Sequence, residues 1–278
     1  MMNGLTIRPR TPRRLIAFAT GLCLAAIAGA LAAAPRSVML EELTSPEVAA
    51  AIASGTTTIL VPIGGTEQNG PHMVLGKHNV RAKALAEKIA RSLGNALVAP
   101  VIAYVPEGNV SPPSAHMRFP GTISVPEATF AELLAGAARS FRQHGFRDIV
   151  FLGDHGGYQK VDRAVAQRLN REWAATPARA HAIDDYYRVV EVEYPQALKR
   201  RGHTDEQIGL HAGLADTSLA LAIDPALVRS DRLAAAGAAK SGGVQGDPRQ
   251  ASAELGQLGV DIIVARTVEA IRRAVAQR

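Results

Sequence analysis

The chain has 278 residues, 47% hydrophobic and 20% charged, with 25 Gly and 16 Pro, a composition that belongs to a folded globular protein and excludes a disordered or collagen-like one. The formal charge of +6 owes much to Arg8, Arg10, Arg13 and Arg14, in a stretch without acids; with aromatics at 4% and the other basic residues dispersed, no nucleic-acid partner is expected. The single cysteine, Cys23, lies in the N-terminal apolar run, so thiolate nucleophiles, cysteine-bound zinc and iron–sulfur clusters are excluded from the rest of the chain.

In chain order, residues 1–34 read as a secretory signal peptide. A basic stretch is followed by an apolar run from Leu15 to Ala33 and by Ala32-Ala-Ala-Pro35, a cleavage site of small residues. The alternative is a retained membrane helix. Cleavage leaves a single domain, residues 35–278, without a stable membrane anchor and located in the periplasm or outside the cell. Arg13-Arg14 ahead of Leu15-Ile16 resembles a twin-arginine export signal.

From Val38 onward, short β-rich runs alternate with amphipathic stretches, which points to βαβ units. A strand is expected over 56–63, stopped by Gly64-Gly65, then a helix over 80–92 with Ala82, Leu85, Ala86 and Ile89 on one face, and a strand over 96–102. A polar, Pro-rich loop spans 106–121. Ser124-Val-Pro-Glu127 reads as a capping box with Pro126 at the first helical position, opening a helix that Gly145 ends. A strand over 147–152 with a wholly apolar core, Ile149 to Leu152, runs into Gly153-Asp-His-Gly-Gly157 and a helix over 159–174. Strands this apolar belong to parallel sheets, whose ligands sit beyond the strands' carboxyl ends. The tail holds a Gly/Gln/Pro-rich loop, 241–248, and a helix over 260–275.

The two strand ends expected to carry chemistry hold Glu67, His78 and His155. A carboxylate with two imidazoles suits Zn²⁺, with Mn²⁺ or Fe²⁺ as alternatives, and leaves coordination positions for water and substrate. Such an ion activates water and polarises a carbonyl. No Gly-x-Ser-x-Gly elbow, Walker-type loop or His-Glu-x-x-His is present.

Four segments, Pro62-Ile-Gly-Gly-Thr-Glu-Gln-Asn-Gly-Pro-His72, Phe119-Pro-Gly-Thr-Ile123, Gly153-Asp-His-Gly-Gly157 and His211-Ala-Gly-Leu-Ala-Asp-Thr-Ser218, resemble those of the creatininase (creatinine amidohydrolase) family. The resemblance implies a single-domain three-layer αβα fold with a mainly parallel sheet, hydrolysis of an amide-type C–N bond in a small cyclic or linear substrate by metal-activated water, and a homo-oligomer, often a hexamer. It also implies two divalent ions, held by a Glu and a His two apart, a bridging Asp and a turn His. Glu67 and His155 match the Glu and the turn His, whereas Asn69 stands where the second ion's His is expected and His78 where the bridging Asp is. An imidazole offers one lone pair to one ion and cannot bridge. The expectation is therefore one ion per chain, on Glu67, His78 and His155.

His211 and Asp216 are the expected catalytic residues, moving the proton to the leaving nitrogen; Asp216 is alternatively a ligand or an orienting residue. Asn69, His72, His116, Gly156 and Gly157 are the expected substrate-facing positions, with backbone N–H groups of the 153–157 turn or Gln68 as oxyanion donors. His116 and Glu107 share the long loop, where ligand and solvent readings both stand. The rival function is a non-catalytic, exported small-molecule-binding protein on the same fold.

Overall fold

The computed structural model describes Met1 and residues 37–238 and 242–277. The segment expected to be a signal peptide, Met1 apart, lies outside the described residues together with Cys23 and the Arg13-Arg14 pair, and the described secondary structure belongs to the unit of residues 32–278. Its elements are α1 (Ser45–Ala53), β1 (Thr58–Ile63), α2 (Lys77–Leu93), β2 (Ala96–Val98), α3 (Glu127–Gln143), β3 (Asp148–Gly153), α4 (Gln159–Glu172), β4 (Arg179–Ala182), α5 (Asp184–Glu191), α6 (Glu193–Lys199), α7 (Asp205–Ile208), α8 (Leu214–Ile223), α9 (Leu233–Ala238) and α10 (Ala253–Ala276).

Among the described residues the sheet has four strands in the order β2-β1-β3-β4, every pair parallel. Alternate side chains of a strand point to opposite faces, and both faces here are covered. On one face Leu60, Val98, Val150 and Leu152 pack with Leu85 and Ile89 of α2, Tyr186 of α5, Leu219 of α8 and Ile263 of α10. On the other, Ile59, Val61, Leu97, Ile149 and Phe151 pack with Phe130 and Leu134 of α3 and Val165 and Leu169 of α4. The result is the three-layer αβα arrangement with a parallel sheet. It accounts for the unbroken apolar runs of β1 and β3, each buried along its whole length.

Several boundaries differ from those expected of the sequence, each for a local reason. β2 ends at Val98: the Ala99 N–H still reaches the Leu60 carbonyl, but the next amide to reach β1 is that of Ile102, to Pro62, one residue late, and chain pairing resumes only as an isolated bridge between Ile63 and Ile102. The capping box before α3 does not form. Pro126 is the N-cap, and the Ser124 hydroxyl instead accepts the Glu107 N–H at 2.9 Å and donates to the Gly108 carbonyl at 2.7 Å. α2 begins at Lys77, which carries Lys77, His78 and Arg81 into the helix as buried residues. α10 starts at Ala253, where the Ser252 hydroxyl accepts the Leu255 N–H at 3.2 Å. Its Gly256 meets α8 so closely that an added Cβ would stand 1.8 Å from the Ser218 carbonyl oxygen. No helix among the described residues is long and apolar enough to cross a membrane.

Register fixes where the chemistry converges. Ile63 at the end of β1 is opposite Gly153 at the end of β3, and the Gly64 N–H donates to the Ile102 carbonyl at 2.9 Å. The segments beyond residues 63, 102 and 153 therefore leave the same sheet edge side by side.

Candidate active site

The first of these segments turns sharply so that Glu67 becomes wholly buried. At Gly65, with φ +153°, an added Cβ would stand 2.5 Å from Glu107 Oε1, so only glycine admits the Glu107 carboxyl here. The Tyr158 hydroxyl donates to the carbonyls of Ile63 and Gly64 at 2.9 and 2.7 Å and ties the turn to the next strand end. Asn69 and His72 are placed inside the fold, not on a substrate wall. The Asn69 amide donates to the carbonyls of Glu67 and Val74 at 2.9 and 3.0 Å, stapling the loop, and His72 Nε2 lies 3.0 Å from the Thr217 hydroxyl.

Glu67, Glu107, His116 and His155 bring one carboxylate or imidazole donor each to within 4.8 Å of one another. His116 Nε2 stands 3.1 Å and His155 Nε2 3.6 Å from Glu67 Oε2, and His155 Nδ1 stands 3.7 Å from Glu107 Oε2. The Gln68 amide positions His116 by facing its Nδ1 at 3.1 Å, and is itself anchored because its Oε1 accepts the Gly70 N–H at 3.0 Å. Ala115, immediately before His116, and Ala212, immediately after His211, hold φ of 45° and 54°. These are the left-handed conformations that non-glycine residues adopt at a cost and that cluster at functional sites.

The donor set passes the test of fit to a divalent ion. Glu67 Oε2 and both oxygens of Glu107 are buried without a hydrogen-bond partner, a condition that a proton, an ordered water or a cation relieves. Burial and the neighbouring Glu67 charge push the Glu107 carboxyl up to about 9. Burial, against the pull of Glu67, brings His155 down to about 3 and also lowers His116. Imidazoles that are neutral at physiological pH beside unpaired carboxylates are ready ligands. A cavity of about 340 Å³ lined by Pro106, Asn109, His116, Glu127, His155 and Gly157, among others, opens onto this group.

His78, expected as the third ligand, lies beside the group and outside it. In the first turn of α2, its Nε2 is 2.8 Å from Glu67 Oε1 and its Nδ1 2.6 Å from Asp154 Oδ2, so both ring nitrogens are engaged with carboxylates. Asp216 is likewise neither at the donor group nor free to act as a base. It pairs with Lys77 and, at 2.7 Å, with Arg81, and accepts the Ala212 N–H at 2.9 Å. Burial would raise its carboxyl, but the Lys77 and Arg81 charges hold it well below the usual range. Asp154 is anchored by Arg81 Nε at 2.8 Å and the Tyr186 hydroxyl at 2.8 Å.

His211 sits against the other side of Glu67, its Nδ1 3.7 Å from Oε1, while its Nε2–H donates to the Gln68 carbonyl at 2.9 Å. Burial and the Lys77 charge bring it down to about 4. Several of the expected oxyanion donors are already engaged. The Gly157 N–H donates to His155 Nδ1 at 3.2 Å and the Asp154 N–H to the Ile63 carbonyl at 3.0 Å, while the Gln68 amide faces His116. Gly157 lines the cavity, whereas Gly156 lies against Tyr187, whose hydroxyl an added Cβ would approach to 2.9 Å. Sequence reasoning did not single out Lys77 and Arg81. Their signal was there, since they are four apart and share the helix face of Ala82 and Leu85.

The family model of creatininase, creatinine amidohydrolase, matches residues 41–271. The chain belongs to the creatininase family. Creatinine amidohydrolase of Pseudomonas putida is 28% identical over 206 residues, covering 71% of this chain and 76% of that protein. A mycofactocin precursor peptide peptidase of Mycolicibacterium smegmatis is 31% identical over 210 residues, covering 72% and 78%. Among solved structures, a manganese creatininase superposes with a TM-score of 0.71 at 27% identity, over 86% of this chain and 99% of that one. A zinc–zinc form of a creatininase variant gives 0.71 and 27%, over 86% and 98%. These relatives are hydrolases, and solved creatininases carry manganese or zinc.

Proposed function

We propose that this creatininase-family chain is a metal-dependent amidohydrolase acting on the C–N bond of a small cyclic or linear amide, with one Zn²⁺, Mn²⁺ or Fe²⁺ held by Glu67, Glu107, His116 and His155. One observation carries the reading: two buried carboxylates with unpaired oxygens and two imidazoles meet at the carboxyl edge of a parallel sheet. When bound, the ion supplies Lewis-acid polarisation of the substrate carbonyl and a lowered pKa for an attacking water.

The chain's own residues supply the rest. The loop from Pro106 to His116 and the turn at Gly157 wall a cavity suited to a small substrate. The Gln68 carbonyl holds the proton of His211 on Nε2, which leaves the Nδ1 lone pair to accept a proton and return it to the departing nitrogen. Asp216 keeps Lys77 and Arg81 in place and plays no part in that transfer. The substrate class also has a peptide-acting relative, so short peptides belong beside lactams and linear amides in any screen. We further propose that residues 1–34 direct export and that the mature chain is a homo-oligomer.

The test loads chain 35–278 with Zn²⁺ or Mn²⁺ and screens it against amides, lactams and short peptides. Metal-dependent hydrolysis that Glu67→Ala and His211→Ala both abolish supports the reading. A loaded protein that binds small amides without turnover replaces it with the binding-protein reading, and a protein that takes up no ion sinks it.

A further inference from the structure

The two oxygens of Glu67 serve opposite sides of the site. Oε2 faces His116 and His155 at 3.1 and 3.6 Å and makes no hydrogen bond. Oε1 faces His78 at 2.8 Å, His211 Nδ1 at 3.7 Å and the Lys77 ammonium at 3.9 Å. Lys77 is 1% exposed and bonded to Asp216. Glu67 Oε1 and Asp216 Oδ2 are two carboxylate oxygens on one side of the site, of the kind that would hold a divalent ion, and the Lys77 ammonium lies between them.

Its position runs against local preference. Lys77 opens α2, a helix whose first turn holds no acid, and a cation at a helix N-terminus is disfavoured by the helix dipole. Burying an ammonium is costly unless it is paired, and the pairing partners here are site residues. The charges point the same way. Four buried or half-buried carboxyl groups, Glu67, Glu107, Asp154 and Asp216, stand against two basic side chains, Lys77 and Arg81. One divalent ion on the Oε2 side, displacing the Glu107 proton, balances the remainder, whereas a second would leave the buried cluster positive.

We infer that Lys77 is a built-in cation standing where a second divalent ion would bind, and that it limits this chain to one ion. The inference rests on the metal site proposed above and deepens it: solved creatininases include a zinc–zinc form, and here the ammonium takes over the electrostatic role on the Oε1 side of Glu67.

The test counts ions. Wild-type protein and Lys77→Met are saturated with Mn²⁺, freed of excess and analysed for metal per folded chain, with electron paramagnetic resonance to separate an isolated ion from a coupled pair. The expected result is one isolated ion in the wild type, two coupled ions in Lys77→Met, and a return to one in Lys77→Met/Asp216→Asn. Two ions in the wild type, or one in a Lys77→Met chain whose circular dichroism matches wild type, overturn the inference. Should Lys77→Met fail to fold, titrating the wild type to about 100 times the first site's Kd decides: saturation at one ion supports the inference and a second ion overturns it. No ion in the wild type overturns the hydrolase reading and this inference with it, whereas two ions overturn this inference and the count of one ion but leave the hydrolase reading standing.

Discussion

Glu107 and His78 hold opposite positions around the same carboxylate, and substituting each separates their roles. Burial and the Glu67 charge push the Glu107 carboxyl up to about 9, so near pH 7 the folded chain must hold a proton there that the unfolded chain does not; Glu107→Gln removes that cost and raises the Tm of the metal-free protein at pH 7 while removing the gain that added Zn²⁺ brings. His78 has both nitrogens occupied, so His78→Gln keeps the ion with affinity weakened by roughly 10–100-fold, the range for residues that orient ligands. Calorimetric titration of both variants checks this, and loss of all binding in His78→Gln would return that histidine to the ligand set. Glu67 and His155 were legible in the sequence because each follows a strand within a glycine-rich turn, where backbone geometry alone brings side chains to the sheet edge. For Glu107 and His116 the sequence leaves ligand and solvent readings both standing, because the path of a loop of 106–121 depends on where Ser124 and Gln68 tether it. His78 stands beside the donor group rather than in it because α2 starts at Lys77, three residues earlier than the apolar periodicity shows.

At the level of elements, two helices carry checkable strain. Asp162 lies in the first turn of α4 and is almost fully buried, and burial raises its carboxyl well above the ordinary value. Its contribution to stability is therefore complete below the unfolded value near pH 4 and is lost as pH rises toward the folded value. Asp162→Asn removes that slope: thermal melts from pH 4 to pH 8 should show a Tm advantage of the variant that widens with pH, and parallel curves would contradict the burial argument. α10 is the second case. Gly256→Ala forces a methyl into the Ser218 carbonyl, with an expected cost of roughly 1–3 kcal/mol, or about 2–4 °C of Tm for each kcal/mol at this size. An unchanged Tm would mean that α8 and α10 separate freely. Strand cores, the parallel pairing and the helix type of α2, α3 and α4 were readable from periodicity and burial pattern. The ends were not, because caps and crossing points depend on partners distant in the chain, as with Ser124 turning to Gly108 and Gly256 fitting against Ser218.

For the whole molecule, an ion that binds only the folded chain stabilises it by about 2.7 kcal/mol at 100 times its Kd, which corresponds to about 5–10 °C. A melting curve of the mature chain with and without Zn²⁺ measures this directly, and no shift would rule out a site formed by folding. The size of that shift reflects architecture as well as affinity. The four donors come from three segments leaving one sheet edge, and their register is held by the Ile63–Gly153 pairing and the Ile63–Ile102 bridge.

Two of those donors, Glu107 and His116, belong to the single long excursion between β2 and α3. An ion bound as proposed would pin that excursion to the body of the protein at two points along its length, as a clasp closes a strap. A chain starved of metal would offer the same stretch to proteases as a cuttable tether, so its lifetime in its compartment would track the supply of metal there.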